Sequence, residues 1–204
     1  MKNVIKDTAI LFIITLISGL LLGYVHDITK APIAAQKEKQ KMEACAKVFP
    51  AADSFADVEG FSSEEAKAVI AEAGFNSDDI TGLSCAYDKD QNVLGYVITV
   101  TSHEGYGGDI QFSMGVMSDG TLNGISLLSI AETAGLGMRA EEVLVPQFTN
   151  KKVDTFTYTK TGATSDSQID AISSATITTN AVTNGVNAGL AYFQNALEGG
   201  NGNE

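Results

Sequence analysis

Apolar residues are spread very unevenly along this chain. From Thr8 to Val25 the sequence reads TAILFIITLISGLLLGYV, 18 residues without a charge. At 1.5 Å per residue such a helix is roughly 27 Å long, close to the hydrocarbon thickness of a bilayer. The run is apolar on every face and includes Leu20, Leu21 and Leu22, which suits lipid better than one-sided packing in a core. A retained single-pass transmembrane helix is expected over residues 8–26, after a short N-terminal segment, 1–7. A cleaved signal peptide is the alternative, with Ile33-Ala34-Ala35 as a weak cleavage site, and a buried core helix is another.

Beyond the span the pattern changes twice. After Pro32 the stretch AAQKEKQKMEACAKVF is rich in helix formers with mixed-sign charges at close spacing, and predicts a linker helix within 27–49 that ends near Pro50. Ser62-Ser63-Glu64-Glu65 opens another helix, carried by Ala66, Val69 and Ile70 and stopped at Gly74. Strand-like segments follow: Gly82 to Tyr87, Val93 to Ser102, Ile110 to Met117 and Leu122 to Ile130. Asp88-Lys89-Asp90 and Asp119-Gly120 supply turns between them. Consecutive strands with short turns, rather than strand–helix alternation, predict an α+β domain over 50–198: an antiparallel sheet with packed helices. The Gly-rich polar end, 199–204, reads as a flexible tail.

The last strong pattern is helical. In DAISSATITTNAVTNGVNAGLAYFQNAL, from Asp170 to Leu197, Val182, Val186, Leu190, Phe193 and Leu197 recur at helical spacing. Thr178, Thr179 and Asn180 are all suitable caps at its start. Thr176 is thereby expected just ahead of a helix N-terminus, where unpaired N–H groups and the helix dipole favour an anion. Ser173, Ser174 and Ala175 are small and would leave its hydroxyl accessible.

Charge and composition narrow the functions. A net charge of −12 opposes a nucleic-acid partner, which needs a basic face. Two cysteines, Cys45 and Cys85, are too few for a disulfide scaffold, although one disulfide or two free thiols both remain open. Neither His26 nor His103 stands in a cluster with metal-ligand spacing or in a catalytic triad context, so no metal and no hydrolytic residue is expected. No G-x-G-x-x-G stands ready to bind a dinucleotide.

Asp170-x-x-Ser173-Ser174-Ala175-Thr176-x-Thr178 is similar to the flavinylation motif of the FMN-binding domain family, with Ser174 where glycine is common. Gly105-Tyr106-Gly107-Gly108-Asp109-Ile110 resembles its G-Y-G-G-x-I turn. Glu132-Thr133-Ala134-Gly135-Leu136-Gly137 resembles its E-T-P-G-L-G loop, with Ala134 replacing proline. Gln147-Phe148 and Lys151 weakly resemble an aromatic-and-lysine stretch of the same family. The resemblance implies FMN esterified through its phosphate to Thr176 by a flavin transferase that reads the segment from Asp170. It also implies that the loops holding Tyr106, Gly107, Glu132, Thr133, Gly135, Leu136 and Gly137 lie against the flavin, with Gly135 and Gly137 letting the backbone approach the ring or adopt positive φ. A second core, Thr161-Gly162-Ala163-Thr164, has the glycine but not the upstream aspartate. Asp166 stands where Ser or Thr belongs and no apolar-periodic helix follows, so it reads as a turn.

Over nearly the whole chain the order of anchor, linker helix and motifs resembles the G subunits of Rnf complexes, with the C subunits of sodium-translocating NADH:quinone reductases as relatives. That implies an electron relay between other subunits of a membrane complex, which couples ferredoxin:NAD⁺ oxidoreduction to Na⁺ or H⁺ translocation. It also implies a domain outside the cytoplasmic membrane, with the N-terminal segment, 1–7, in the cytoplasm. The flanking lysines do not decide the side, since Lys2 and Lys6 precede the span while Lys30, Lys37, Lys39 and Lys41 follow it. The alternative within the resemblance is the covalent-FMN subunit of a sodium-translocating NADH:quinone reductase, and from another functional class come a tethered binder of phosphate-bearing ligands without redox work, and a flavin-free scaffold.

Overall fold

The computed structural model describes residues 2–198, with the side chains of residues 2 and 3 outside that description; the expected tail, 199–204, lies outside it too. Helix α1 runs unbroken over Lys2–Val48 with Pro32 inside it, so the span and the helix after it are one element. Two compact units part between residues 40 and 41. In the first, Ile10, Leu11, Phe12, Ile13, Leu20, Leu21 and Leu22 are all exposed, and the most apolar window has a mean hydropathy of 2.3. A helix with bare apolar faces and no core of its own is long and apolar enough to cross a membrane.

The second unit is built on a five-stranded antiparallel meander in the order β1 (Ser54–Asp57), β2 (Asp78–Tyr87), β3 (Val93–Ser102), β4 (Ile110–Met117) and β5 (Leu122–Ser129). Turn chemistry sets the register. Asp88 Oδ1 accepts from the N–H groups of Asp90 and Asn92, and Asp119 Oδ1 from that of Thr121 at 2.9 Å, with Gly120 at φ +83°. β1 is not legible as a strand: it is four residues long and only half buried. β2 starts at Asp78 rather than Gly82, because two acidic residues poor in strand propensity are drawn into the sheet.

The helices after α1 cover one face of this sheet. α2 (Ser63–Glu72) is capped by Ser62, whose Oγ accepts from Glu65 N at 3.3 Å, and buries Ala66 and Ile70. Two short 3₁₀ turns, Gly137–Arg139 and Val145–Phe148, flank α3 (Ala140–Val143). Two three-residue strands, β6 (Thr157–Thr159) and β7 (Gln168–Asp170), form a small parallel pair. α4 (Thr176–Tyr192) follows and continues as a π-helical turn over Phe193–Leu197. Val182, Val186, Leu190 and Phe193 are buried against Ile98, Val100, Phe112 and Met114, each such side chain contributing about 1.5–3 kcal/mol by leaving water. Glycines bring α4 down onto the sheet: a Cβ on Gly189 would lie 2.1 Å from Met114 Sδ. Beyond the first unit's boundary, the end of α1 adds Cys45, Val48 and Phe49 to a second cluster with Ala86 and Val97. No disulfide joins Cys45 and Cys85.

Candidate functional site

The chain enters α4 through a tight turn. Ala175 N donates to Ile172 O at 3.1 Å, and the third residue of that turn, Ser174, has φ +63°. This left-handed conformation is one that glycine adopts freely and an L side chain does not. The position at which Ser174 replaces the commoner glycine is thus one with a physical reason for glycine.

Helix α4 begins earlier than its sequence suggests. Thr176 is its first residue, Ala175 stands at the cap without a side-chain bond, and the expected caps lie inside the helix. Thr179 Oγ1 accepts from Ile172 N at 3.1 Å and donates to Ala175 O at 2.9 Å, which clips the entry turn to the helix. That clip satisfies the turn and lets the helix start ahead of the polar run suited to capping it. Thr178 is buried, and Asn180 donates to Glu104. By helix geometry the N–H groups of Thr176, Ile177 and Thr178 have no acceptor within α4, and the positive end of the helix dipole lies among them. Thr176 itself is half-buried.

Two glycine loops meet this turn. In the β3–β4 loop, a Cβ on Gly105 would fall 2.1 Å from Gly108 O, and one on Gly107 2.0 Å from Ala131 O. Gly107 N also donates to Glu132 Oε1 at 3.3 Å. In the loop after β5, Leu136 N and Met138 N both donate to Thr133 O. Gly135 takes φ +76°. A Cβ on Gly137 would lie 2.5 Å from Thr178 Oγ1 and 2.7 Å from Glu132 Cβ. Within the chain, Gly137 leaves room for Thr178 and Glu132, and Gly135 takes a positive φ.

Together the three segments wall a cleft of about 550 Å³. Tyr106 comes from the first loop, Glu132, Thr133, Leu136 and Gly137 from the second, and Ser174, Ala175, Thr176 and Thr178 from the helix entry. Ile177, half-exposed and apolar, also lines it and is not part of the motif's pattern. Gly107 and Gly135 stand in the loops without lining the cleft, and Ser173 is exposed in the turn outside it. Asp170 is also outside: its Oδ1 accepts from Ala163 N at 2.7 Å, while its backbone is bracketed by Gln147, which accepts from Asp170 N at 2.6 Å and donates to Asp170 O at 3.1 Å. Phe148 is buried edge-on to Phe156, and Lys151 pairs with Asp166. The second T-G-A-T core lies in a loop lining a separate polar cleft of about 560 Å³, with Thr164 Oγ1 donating to Gln168 Oε1 at 2.9 Å; no helix starts there.

Charged groups stand close behind the loops. His103 bridges Asp109 (Nδ1, 2.8 Å) and Asp79 (Nε2, 2.9 Å), and these bonds raise its pKa. Asp79 also pairs with Lys67 at 2.7 Å and is held below the usual carboxylate value, by Lys67 first and His103 second. Asp78 is buried with Oδ1 unpartnered; burial, opposed by the Ser102 hydroxyl and reinforced by Glu104, raises its pKa to about 6.

Comparison with known proteins covers most of the chain. Residues 105–191 match the FMN-binding domain and residues 1–48 match the RnfG N-terminal region. The G subunit of the Na(+)-translocating ferredoxin:NAD(+) oxidoreductase complex of Acetobacterium woodii is 30% identical over 196 residues, 95% of this chain and 93% of that protein. The G subunit of the proton-translocating ferredoxin:NAD(+) oxidoreductase complex of Clostridium ljungdahlii is 33% identical over 187 residues, 91% of this chain and 89% of that protein. The crystal structure of Shewanella oneidensis NqrC overlaps 57% of this chain and 58% of that chain at 18% identity, with a TM-score of 0.46.

Proposed function

This chain belongs to the family of G subunits of ion-translocating ferredoxin:NAD⁺ oxidoreductase complexes, and on that premise we propose that it is an electron-relay subunit carrying FMN as a phosphoester on Thr176. The observation that carries the reading is the position of Thr176 at the first turn of α4, opening into a cleft walled by the two other motif loops.

The residues fit such a group. A flavin transferase would transfer FMN from FAD to the Thr176 hydroxyl, with AMP as the leaving group and the hydroxyl proton passing to it or to solvent. The diester keeps one negative charge, for which the N–H groups of Ile177 and Thr178 and the α4 dipole are suited. A cleft of about 550 Å³ is in the range that holds a cofactor-sized ligand, and its apolar side chains, Tyr106, Leu136 and Ile177, offer flat or flexible surface to a planar ring. FMN supplies one- and two-electron transfer when bound; the chain supplies a fixed attachment, orientation and electrostatics. With attachment through the phosphate, the ring's potential is left to contacts from the 105–109 and 132–137 loops.

The remaining parts fit a relay in a larger assembly. Helix α1 would anchor the protein by a single pass and give other membrane subunits a surface to pack on. The family likeness supports a domain on the extracytoplasmic side, with ferredoxin and NAD⁺ handled by other subunits. The coupling ion is not legible in this chain, since the two relatives are named for Na⁺ and for protons. The test is flavin that survives denaturation: membranes of cells making this chain with a flavin transferase should give a fluorescent band of its size in a denaturing gel. A colourless band from transferase-competent cells would favour a scaffold or a non-covalent phosphate binder instead.

A further inference from the structure

Glu104 lies between the end of β3 and the Gly105–Gly108 turn, half-buried, with its carboxylate turned to α4. Its Oε2 accepts from Asn184 Nδ2 at 2.7 Å and from Asn180 Nδ2 at 3.3 Å. Asn180 and Asn184 follow Thr176 by four and eight residues, so at 3.6 residues per turn the three share one stripe of the helix. The carboxylate therefore ties the loop that carries Tyr106 to the stripe that starts at Thr176. A second tie, Gly107 N to Glu132 Oε1, joins the same loop to the segment 132–137. Tyr106 sits between the two, 70% exposed and without a core of its own to fix it.

We propose that Glu104 is a positioning residue of the cleft, holding Tyr106 in register with Thr176 through Asn180 and Asn184. A carboxylate suits the task because one anionic oxygen takes both amide donors in charge-assisted bonds, which are shorter and stronger than neutral ones. Glutamine keeps one oxygen that can accept from both amides but lacks the charge. Alanine removes the bonds to Asn180 and Asn184 and leaves two half-buried amides unpaired. The inference rests on the FMN reading only for its second readout, since the tie exists in the protein alone.

The experiment uses the full-length chain in detergent, in two arms. In flavin-free protein carrying Thr176→Ala, adding Glu104→Ala should speed amide hydrogen exchange across residues 105–109 while β4 and β5 stay as protected as before. In protein flavinylated at Thr176, Glu104→Ala should raise flavin fluorescence and shift the visible spectrum as the tyrosine leaves the ring, with Glu104→Gln closer to the parent. Where Glu104→Ala fails to fold, Asn184→Ala removes the shorter bond from the helix side and is expected to give the same loop-confined exchange. Unchanged exchange at 105–109 together with unchanged fluorescence overturns the inference, even if thermal stability falls. A parent without covalent flavin refutes the FMN reading instead, and the exchange arm still decides for or against Glu104.

Discussion

Gly137 and Thr178 meet at the floor of the cleft so closely that a Cβ on the glycine would stand 2.5 Å from the threonine's Oγ1. The glycine of one motif is thus required by a side chain of another. Gly137→Ala should cost about 1–3 kcal/mol through overpacking and lower the yield of flavinylated protein. Thr178→Ala should recover part of that loss in the double variant, since it removes one of the two obstructions and leaves Glu132 Cβ. Thermal unfolding of the two single variants and the pair measures the coupling; strict additivity would mean that the contact does not shape the loop.

Ser174 at φ +63° makes the opposite prediction. A left-handed L-residue costs about 1–2 kcal/mol, and glycine gives part of that back through a more flexible unfolded chain, about 0.4–1 kcal/mol. Ser174→Gly should raise stability by about 0.5–1 kcal/mol with flavinylation intact, whereas Ser174→Val should lower both. Chemical denaturation reads the first effect and in-gel fluorescence the second. Loss of stability in the glycine variant would show that the serine hydroxyl outweighs the backbone strain.

Thr179 fixes the same turn through one buried hydroxyl. Thr179→Val preserves shape but leaves Ile172 N without its acceptor, a loss of about 1–3 kcal/mol, and the loosened turn should slow transfer of FMN to Thr176. Thr179→Ser, which keeps the hydroxyl, should behave nearly as the parent in both. Equal behaviour of the valine and serine variants in a timed flavinylation assay would remove the clip from this account.

These residues show what a sequence can and cannot carry. The limits of β3 and β4 are legible because β3 holds a run of β-branched residues, Val97 to Thr101, and β4 alternates the apolar Ile110, Phe112, Met114 and Val116, and α4 because its apolar residues repeat over several turns. The three cleft segments are legible as motifs. Short strands such as β1, β6 and β7 hold too few residues to establish a period. The roles of Thr179, Glu104 and Gln147 are illegible for another reason: each works through a partner distant in sequence or across a turn, and nothing near it differs from an ordinary polar surface. The start of α4 is illegible because polar residues suited to capping are instead consumed by other hydrogen bonds.

Asp78 predicts a pH dependence of stability. Its carboxyl titrates near the ordinary 3.8 in the unfolded chain and at about 6 in the fold, so between those values the folded state holds a proton the unfolded state has released. Stability should fall as pH rises through this window and level off above it, by about 3 kcal/mol at most. His103 pulls the same way: raised by Asp109 and Asp79, it contributes fully below its unfolded value of 6.5 and fades as pH rises through the raised one. Asp78→Asn should therefore stabilise the protein near pH 8, change little near pH 4, and flatten the curve between. Urea unfolding across this range checks it, and a variant that is no more stable than the parent at pH 8 would mean that the buried carboxylate is better solvated than its surroundings suggest.

The central claim, FMN on Thr176, is met most directly by intact mass spectrometry of the full-length protein made with a flavin transferase. The parent and Thr164→Ala should each carry one added FMN less one water, and Thr176→Ala should carry none. Retention of the added mass in Thr176→Ala, or its loss in Thr164→Ala alone, would contradict the account.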